Sequence, residues 1–251
     1  MVGDLVESLM GVPGAVAVTR AEPSMQPGRR AGGEPAYVLY YGGRLDAGGL
    51  RKLGFEGEVA GPGVGGRPID GGATLTIEGE RVDVILRDLD AVKHWVAEAS
   101  EGRFEIEAVD GWLAGMPTYV LLGELATCEA LAGELPRPEF PAALRESATR
   151  RWRDTAARAL EVAESLALRG DVAGCAGLLA KAAVATAEAR LAERGEWVLG
   201  EGGVVRRAGL SRTEAILAST GDRPLDLERA VFRMRVALGM TLAGTTVPGA
   251  A

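Results

Sequence analysis

The apolar residues of this chain change their period once. Up to about Ala108 they come in short alternating runs punctuated by Gly and Pro; from about Thr118 onward they recur at helical spacing with few breaks. Alternation lines one face of a strand, whereas a 3.6-residue period lines one stripe of a helix. A single switch, instead of a repeating strand–helix rhythm, points to an α+β chain: a mixed sheet with helices first, an all-α helical bundle after it. The expected domains are residues 1–115 and 116–245, with 246–251 a frayed tail.

Local signals fill in the order. Residues 3–10 read as a short amphipathic helix, "GAVAV" (14–18) as a buried strand, and "AYVLYY" (36–41) as a second strand rich in β-branched and aromatic residues. "EGEVA" (56–60) reads as an edge strand and "ATLTIEGERVDVILRD" (73–88) as a hairpin turning at Gly79. A helix over 88–100, capped by Asp88 or Asp90 and ended by Gly102, leads to a strand at 103–108. In the second half, "TYVLLGELATCEALAG" (118–133) reads as one helix, followed by a proline-marked turn. Residues 142–170 and 172–194 then form two long antiparallel helices, stopped by Gly170 and Gly195, with Asp171 capping the second. Ser211 and Glu214 fit a capping box for the next helix, and a last helix runs from about Pro224 to Leu238.

Composition excludes some partners. The formal net charge is −7, and an acidic surface repels phosphate backbones, so nucleic acid is not expected to bind. Cys128 and Cys175 have no metal or redox spacing, and the single histidine, His94, cannot anchor a histidine metal site. No basic leader and no apolar run long enough to cross a membrane is visible, which makes a cytoplasmic chain with no membrane contact the expectation. The Gly-, Ala- and Arg-rich, Lys-poor composition is that of a high-GC bacterium.

Five segments in order, "RVDVILRDLDAV", "PTYVLLGELA", "GELPRPEFPAALRESA", "RRWRDTAARALEVAE" and "RGEWVLGEGGVVRRAGL", carry a resemblance over nearly the whole chain. They look like bacterial nucleotidyltransferase-like proteins related to the aminoglycoside nucleotidyltransferases, within the DNA polymerase β superfamily. The resemblance implies a Gly-Gly-Ser or Gly-Ser loop after one strand, Asp-x-Asp on the next, and a third carboxylate on a later strand. Glycines let backbone amides approach a triphosphate; the carboxylates share divalent metal ions that activate the attacking hydroxyl and neutralise the leaving pyrophosphate.

Laid without a gap from Ala17–Val18–Thr19 to Tyr40–Tyr41, the Gly-Gly-Ser falls on Ala21–Glu22–Pro23 and the Asp-x-Asp on Glu34–Pro35–Ala36. A carboxylate stands where the triphosphate would lie, Pro23 lacks both hydroxyl and amide donor, and Ala36 cannot bind a metal. Of the three carboxylates only Asp83 is left, with Glu34 as a displaced oxygen donor. In the second half, a basic Asn-Glu-Lys-Gly-Leu-like stretch of the relatives is replaced by Gly200–Glu201–Gly202–Gly203–Val204, without its lysine. The long loop over 20–35, with Pro27, Arg29 and Arg30, thus reads as a former active-site loop.

Asp83, Glu124 and Glu34 are the candidate catalytic residues. Asp83 is either an acid–base group or a carboxylate salt-bridged to Arg81 or Arg87. Glu124 interrupts an apolar helix that, by the resemblance, lines the cleft between the domains. It is either a general acid or base there, or a buried charge paired with Arg145 or Arg153. Tyr37, Tyr40, Tyr119 and Trp197, with Arg81 and Arg87, are the candidate substrate-binding residues, against plain core packing for the aromatics. Asp88 reads as a helix cap before a ligand.

Three functions are then open. The first is a scaffold that has lost metal-dependent nucleotidyl transfer and binds or converts a small molecule in the cleft between the two domains without metal or cofactor, by cyclisation or isomerisation in bacterial specialised metabolism. The second is a working magnesium-dependent nucleotidyltransferase that uses Glu34 and Asp83. The third is a non-catalytic subunit whose bundle meets a partner or a second copy in a homodimer. Dismantled motifs inside an intact fold favour the first.

Overall fold

A computed structural model of the chain describes residues 2–21, 36–64 and 71–240; Pro23, Arg29, Arg30, Glu34 and the expected tail at 246–251 lie outside the described residues. The chain runs α1 (Val2–Met10), β1 (Ala15–Arg20), β2 (Ala36–Tyr41), α2 (Ala47–Arg51), β3 (Glu56–Ala60), β4 (Gly71–Ile77) and β5 (Glu80–Asp88). It continues with α3 (Leu89–Ser100), β6 (Ile106–Glu107), β7 (Met116–Pro117), α4 (Val120–Thr127) and β8 (Glu129–Ala132). The helices α5 (Ala142–Leu168), α6 (Val172–Arg194), α7 (Val204–Arg207), α8 (Arg212–Leu217) and α9 (Pro224–Leu238) follow. This is the α+β class expected: a mixed sheet with helices, then helices alone.

Six strands form one sheet in the order β3-β4-β5-β2-β1-β8. β2 and β5 run parallel, and the other neighbours antiparallel. The β4–β5 hairpin turns at Glu78 and Gly79, both at positive φ (53° and 84°), the backbone that a two-residue reversed turn demands. Alternation then sorts the sheet into two unlike faces. Val18, Tyr37, Leu39, Val84 and Leu86 join Leu5 and Leu9 of α1 in the apolar core. Thr19, Tyr40, Thr74, Asp83 and Arg87, of opposite parity and in register with one another, share the other face.

The reading of 118–133 as one helix fails in its second half. α4 ends at Thr127, Cys128 turns extended (φ −61°, ψ 146°), and Glu129–Ala132 pairs with β1 at the sheet edge. An ion pair between Arg20 Nε and Glu129 Oε2 at 3.0 Å helps hold that edge. Gly133 (φ 76°) follows it so closely that a Cβ there would lie 2.2 Å from the Val16 carbonyl oxygen. With β8 in the sheet, the chain divides into compact units at Met1–Leu144 and Arg145–Ala251, later than the 115/116 boundary read from the period change.

Smaller corrections follow the same logic. The strand expected at 103–108 is reduced to β6, paired with β7. Ser211 makes no side-chain cap bond, and Glu214 meets Arg206 at 3.0 Å, so the capping box does not form. In the second unit, Ala148, Trp152, Ala156, Leu160 and Ala163 of α5 are buried in one stripe. Asp171 caps α6 by accepting from Gly174 N at 2.9 Å, and Gly195 (φ 69°) ends it, both as read. Against the expectation that no segment is long and apolar enough to cross a membrane, α6 is. Residues 182–189 of that helix are all buried, and the helix packs against α7, α8 and α9.

Candidate functional site

The register of β2 and β5 decides what the polar sheet face offers. Ala36 lies beside Asp83 in the ladder, and Tyr40 beside Arg87; on the other side, Thr74 of β4 lies beside Asp83. Adjacent strands are roughly 4.8 Å apart, so Asp83 is flanked by a methyl group and a hydroxyl. Thr74 Oγ1 donates to Asp83 Oδ1 at 2.9 Å, and Arg81 Nε lies 3.5 Å from the same oxygen. The Asp83 side chain is 22% exposed and that of Arg81 59%. This end of the face is therefore a carboxylate within reach of solvent, beside the exposed Arg81.

The other end is closed. Arg87 grips Glu124 of α4 with two bonds, Nε to Oε2 at 2.8 Å and Nη2 to Oε1 at 2.6 Å. Both side chains are buried. A guanidinium fork on both oxygens ties Glu124, and with it α4, to β5. The partners expected for Glu124 were Arg145 or Arg153; Arg153 holds Glu193 at 2.8 Å instead. Arg87, expected to meet substrate, is the partner that the sequence left unassigned. Tyr40 and Thr19 have buried hydroxyls without a hydrogen-bond partner. Burial first, and then the Glu124 charge, push the Tyr40 phenol far up, so it stays protonated. Burial likewise pushes the Cys128 thiol up, which keeps it unreactive.

The aromatic residues have separate local surroundings. Tyr37 belongs to the apolar core on the face opposite Tyr40. Tyr119 is buried and packs edge-on against Phe104, ring centroids 5.0 Å apart. Trp197 belongs to the second unit, where its carbonyl accepts from Arg207 Nη2 at 3.0 Å. Asp88 caps α3 by accepting from Asp90 N at 2.9 Å, as read. Glu34 lies outside the described residues.

One buried acid escaped the sequence reading. Glu188 on α6 is 1% exposed, and its Oε1 has no partner. Its carboxyl is pushed up to about 8, mostly by burial and further by Glu201, with Arg207 opposing. The signal was present: within "AAVATAEA" it is the one charged residue, and Val184, Ala185, Leu191 and Ala192, at the helical neighbour positions, offer no opposite charge.

The resemblance implies magnesium ions at the polar face. Among the described residues no group of three or more His, Cys, Asp or Glu side chains comes together. Beside Asp83, Ala36 supplies no oxygen and Arg81 brings a positive charge. The described residues do not fit a shared divalent ion.

No protein-family model matches the chain, and no curated protein does. Among solved structures, a nucleotidyltransferase-like protein from Exiguobacterium sibiricum 255-15 matches with a TM-score of 0.43 and 13% identity, covering 94% of this chain and 73% of that one. A likeness of this size decides nothing about the site.

Proposed function

We propose that this chain is a nucleotidyltransferase-type scaffold that has lost metal-dependent nucleotidyl transfer and holds a small organic molecule at the Asp83 end of its polar sheet face. Metal-independent acid–base conversion, such as cyclisation or isomerisation in bacterial specialised metabolism, is the chemistry that this end of the sheet suits. The observation that carries the reading is the pairing of Ala36 with Asp83 in the ladder. By the resemblance, Ala36 occupies the place of a metal-binding aspartate. A carboxylate there would stand one strand from Asp83, within reach of a shared ion; a methyl group gives that ion nothing.

Arg81 works in the same direction, since its guanidinium near Asp83 Oδ1 repels a divalent cation. The trio of Thr74, Asp83 and Arg81 suits an organic ligand better. Asp83 accepts from a ligand O–H or N–H, and Arg81 donates to a carbonyl or carboxylate. Asp83 is the group positioned to take a proton from such a ligand, because Glu124 is held by Arg87.

The test is a thermal-shift series with ATP, GTP, CTP and UTP, each with and without Mg²⁺. The expected result is no magnesium-dependent change in Tm. A metal-dependent rise that disappears in Asp83→Asn overturns the reading in favour of a working nucleotidyltransferase.

A further inference from the structure

We propose that the outer face of α9 joins two copies of this chain as an antiparallel helix pair. Leu225, Arg229, Phe232 and Val236 follow one another at intervals of 4, 3 and 4 residues, the spacing of a coiled-coil seam. All four are exposed: Leu225 57%, Phe232 49%, Val236 51%, and the Arg229 side chain 68%. On the other side of the helix, Leu227, Ala230, Val231, Met234 and Leu238 are already buried. α9 therefore carries two apolar faces, and one of them meets solvent.

The apolar ground continues past the start of the helix. Gly170, in the turn between α5 and α6, lies against Pro224: an added Cβ would be 3.5 Å from the proline Cγ. Leu168 and Val172, on either side of that turn, are exposed as well. Exposed apolar side chains gathered in this way mark an interaction surface.

The charges on this face select a second copy and its direction. A parallel pair would set Arg229 against Arg229 of the second copy, a like-charge contact in the middle of the seam. An antiparallel pair, with its two-fold between Ala230 and Val231, sets Arg229 over the Phe232 ring of the second copy and Leu225 against its Val236. A guanidinium over an aromatic face is attractive, and the two-fold makes each contact twice. Residues seven apart share a flank of a helix. On one flank Arg233 comes level with Asp226 of the second copy, beside the arginines that Asp226 already meets, Arg223 at 2.8 Å and Arg229 at 3.7 Å. On the other flank Glu228 comes level with Arg235, which Glu164 of α5 holds at 2.8 Å. Opposite charges thus meet on both sides of the seam. A face complementary to itself is what a two-fold interface requires.

The size of the contact sets its strength. Fifteen helical residues span about 22 Å. One helix pair of that length falls at the low end of specific interfaces, below about 1,200 Å². The dimer is therefore weak, with a Kd on the order of 10 µM. It rests on the second unit alone, so it stands or falls independently of the reading of Asp83.

The experiment is sedimentation equilibrium of the full chain from about 1 to about 300 µM, which is expected to show a reversible monomer–dimer equilibrium. Phe232→Glu should raise Kd about 100-fold, leaving monomer over this range. Arg229→Glu should raise it about tenfold, since it sets a carboxylate over the ring face. Cross-linking reads the direction. Cys128 and Cys175 are buried, so introduced surface thiols are the ones that react. Leu225→Cys and Val236→Cys chains, mixed and mildly oxidised, should give a disulfide-linked heterodimer, whereas Leu225→Cys alone should stay unlinked. Monomer at every concentration overturns the proposal; that is the result if another part of the chain or a different protein takes this face. A dimer that Phe232→Glu leaves unchanged overturns it too, as does a mixture that does not link or a Leu225→Cys chain that links efficiently to itself. Should Phe232→Glu not fold, an unchanged Kd in Arg229→Glu overturns it.

Discussion

Glu124 and Glu188 are both buried acids on apolar helices, and they reach opposite states. Glu124 is held by two bonds from Arg87; Glu188 has an oxygen with no partner among the described residues. In the first case charge-assisted bonds replace the lost water. In the second, desolvation dominates and the carboxyl takes up a proton. Burial alone therefore does not mark a functional acid. Burial without a matching donor leaves the proton on the carboxyl and makes the group sensitive to pH.

The contrast breaks most visibly at the matched pair. Glu124→Gln leaves the Arg87 charge buried and uncompensated, and should cost about 3–5 kcal/mol in urea unfolding. Combining Arg87→Met with Glu124→Leu should recover most of that loss. A single-variant cost below about 1 kcal/mol would mean that the pair does not tie α4 to β5.

Glu188 should show itself through pH. Its folded value of about 8 lies above the roughly 4.3 of an unfolded glutamate. The folded state binds the extra proton between these values, so this contribution to stability is complete below about pH 4.3 and is lost as pH rises through about 8. Glu188→Gln should remove that slope, gaining on the order of a few kcal/mol over the wild type between pH 4 and pH 9. Parallel stability–pH curves for the two proteins would contradict the assignment.

Two smaller effects sharpen the picture around the sheet. Tyr40→Phe removes a buried hydroxyl with no partner, and should be neutral or stabilising by about 1 kcal/mol. A loss of that size instead would mean that the hydroxyl is satisfied in solution. Arg81→Ala removes an exposed ion pair and should change stability by less than about 0.5 kcal/mol in urea melts.

The sequence announced elements whose signals are local. β2 is β-branched and aromatic, the β4–β5 hairpin carries Gly79 at its turn, and α6 has Asp171 and Gly195 at its ends. β8 was hidden because Glu129–Ala132 is a stretch of good helix formers that continues the pattern of α4. Pairing with β1, more than a hundred residues earlier, overrides that propensity. The same limit applies to the site. Arg87 and Glu124 are 37 residues apart, and only the packing of α4 onto β5 brings them together. Tyr37 and Tyr40 lie on opposite faces for a reason the sequence did contain: three residues apart on a strand, they cannot line one pocket. Asp83 was legible through the resemblance, and its contact with Arg81 was one of the two alternatives stated for it.

The central claim is that the Asp83 end of the sheet no longer holds a metal-bound triphosphate. The most direct test titrates Mn²⁺ into the protein with ATP present, followed by the electron paramagnetic resonance of free Mn²⁺, in the wild type and in Asp83→Asn. The account predicts that neither protein removes Mn²⁺·ATP saturably from solution. Saturable uptake by the wild type that Asp83→Asn abolishes would contradict it.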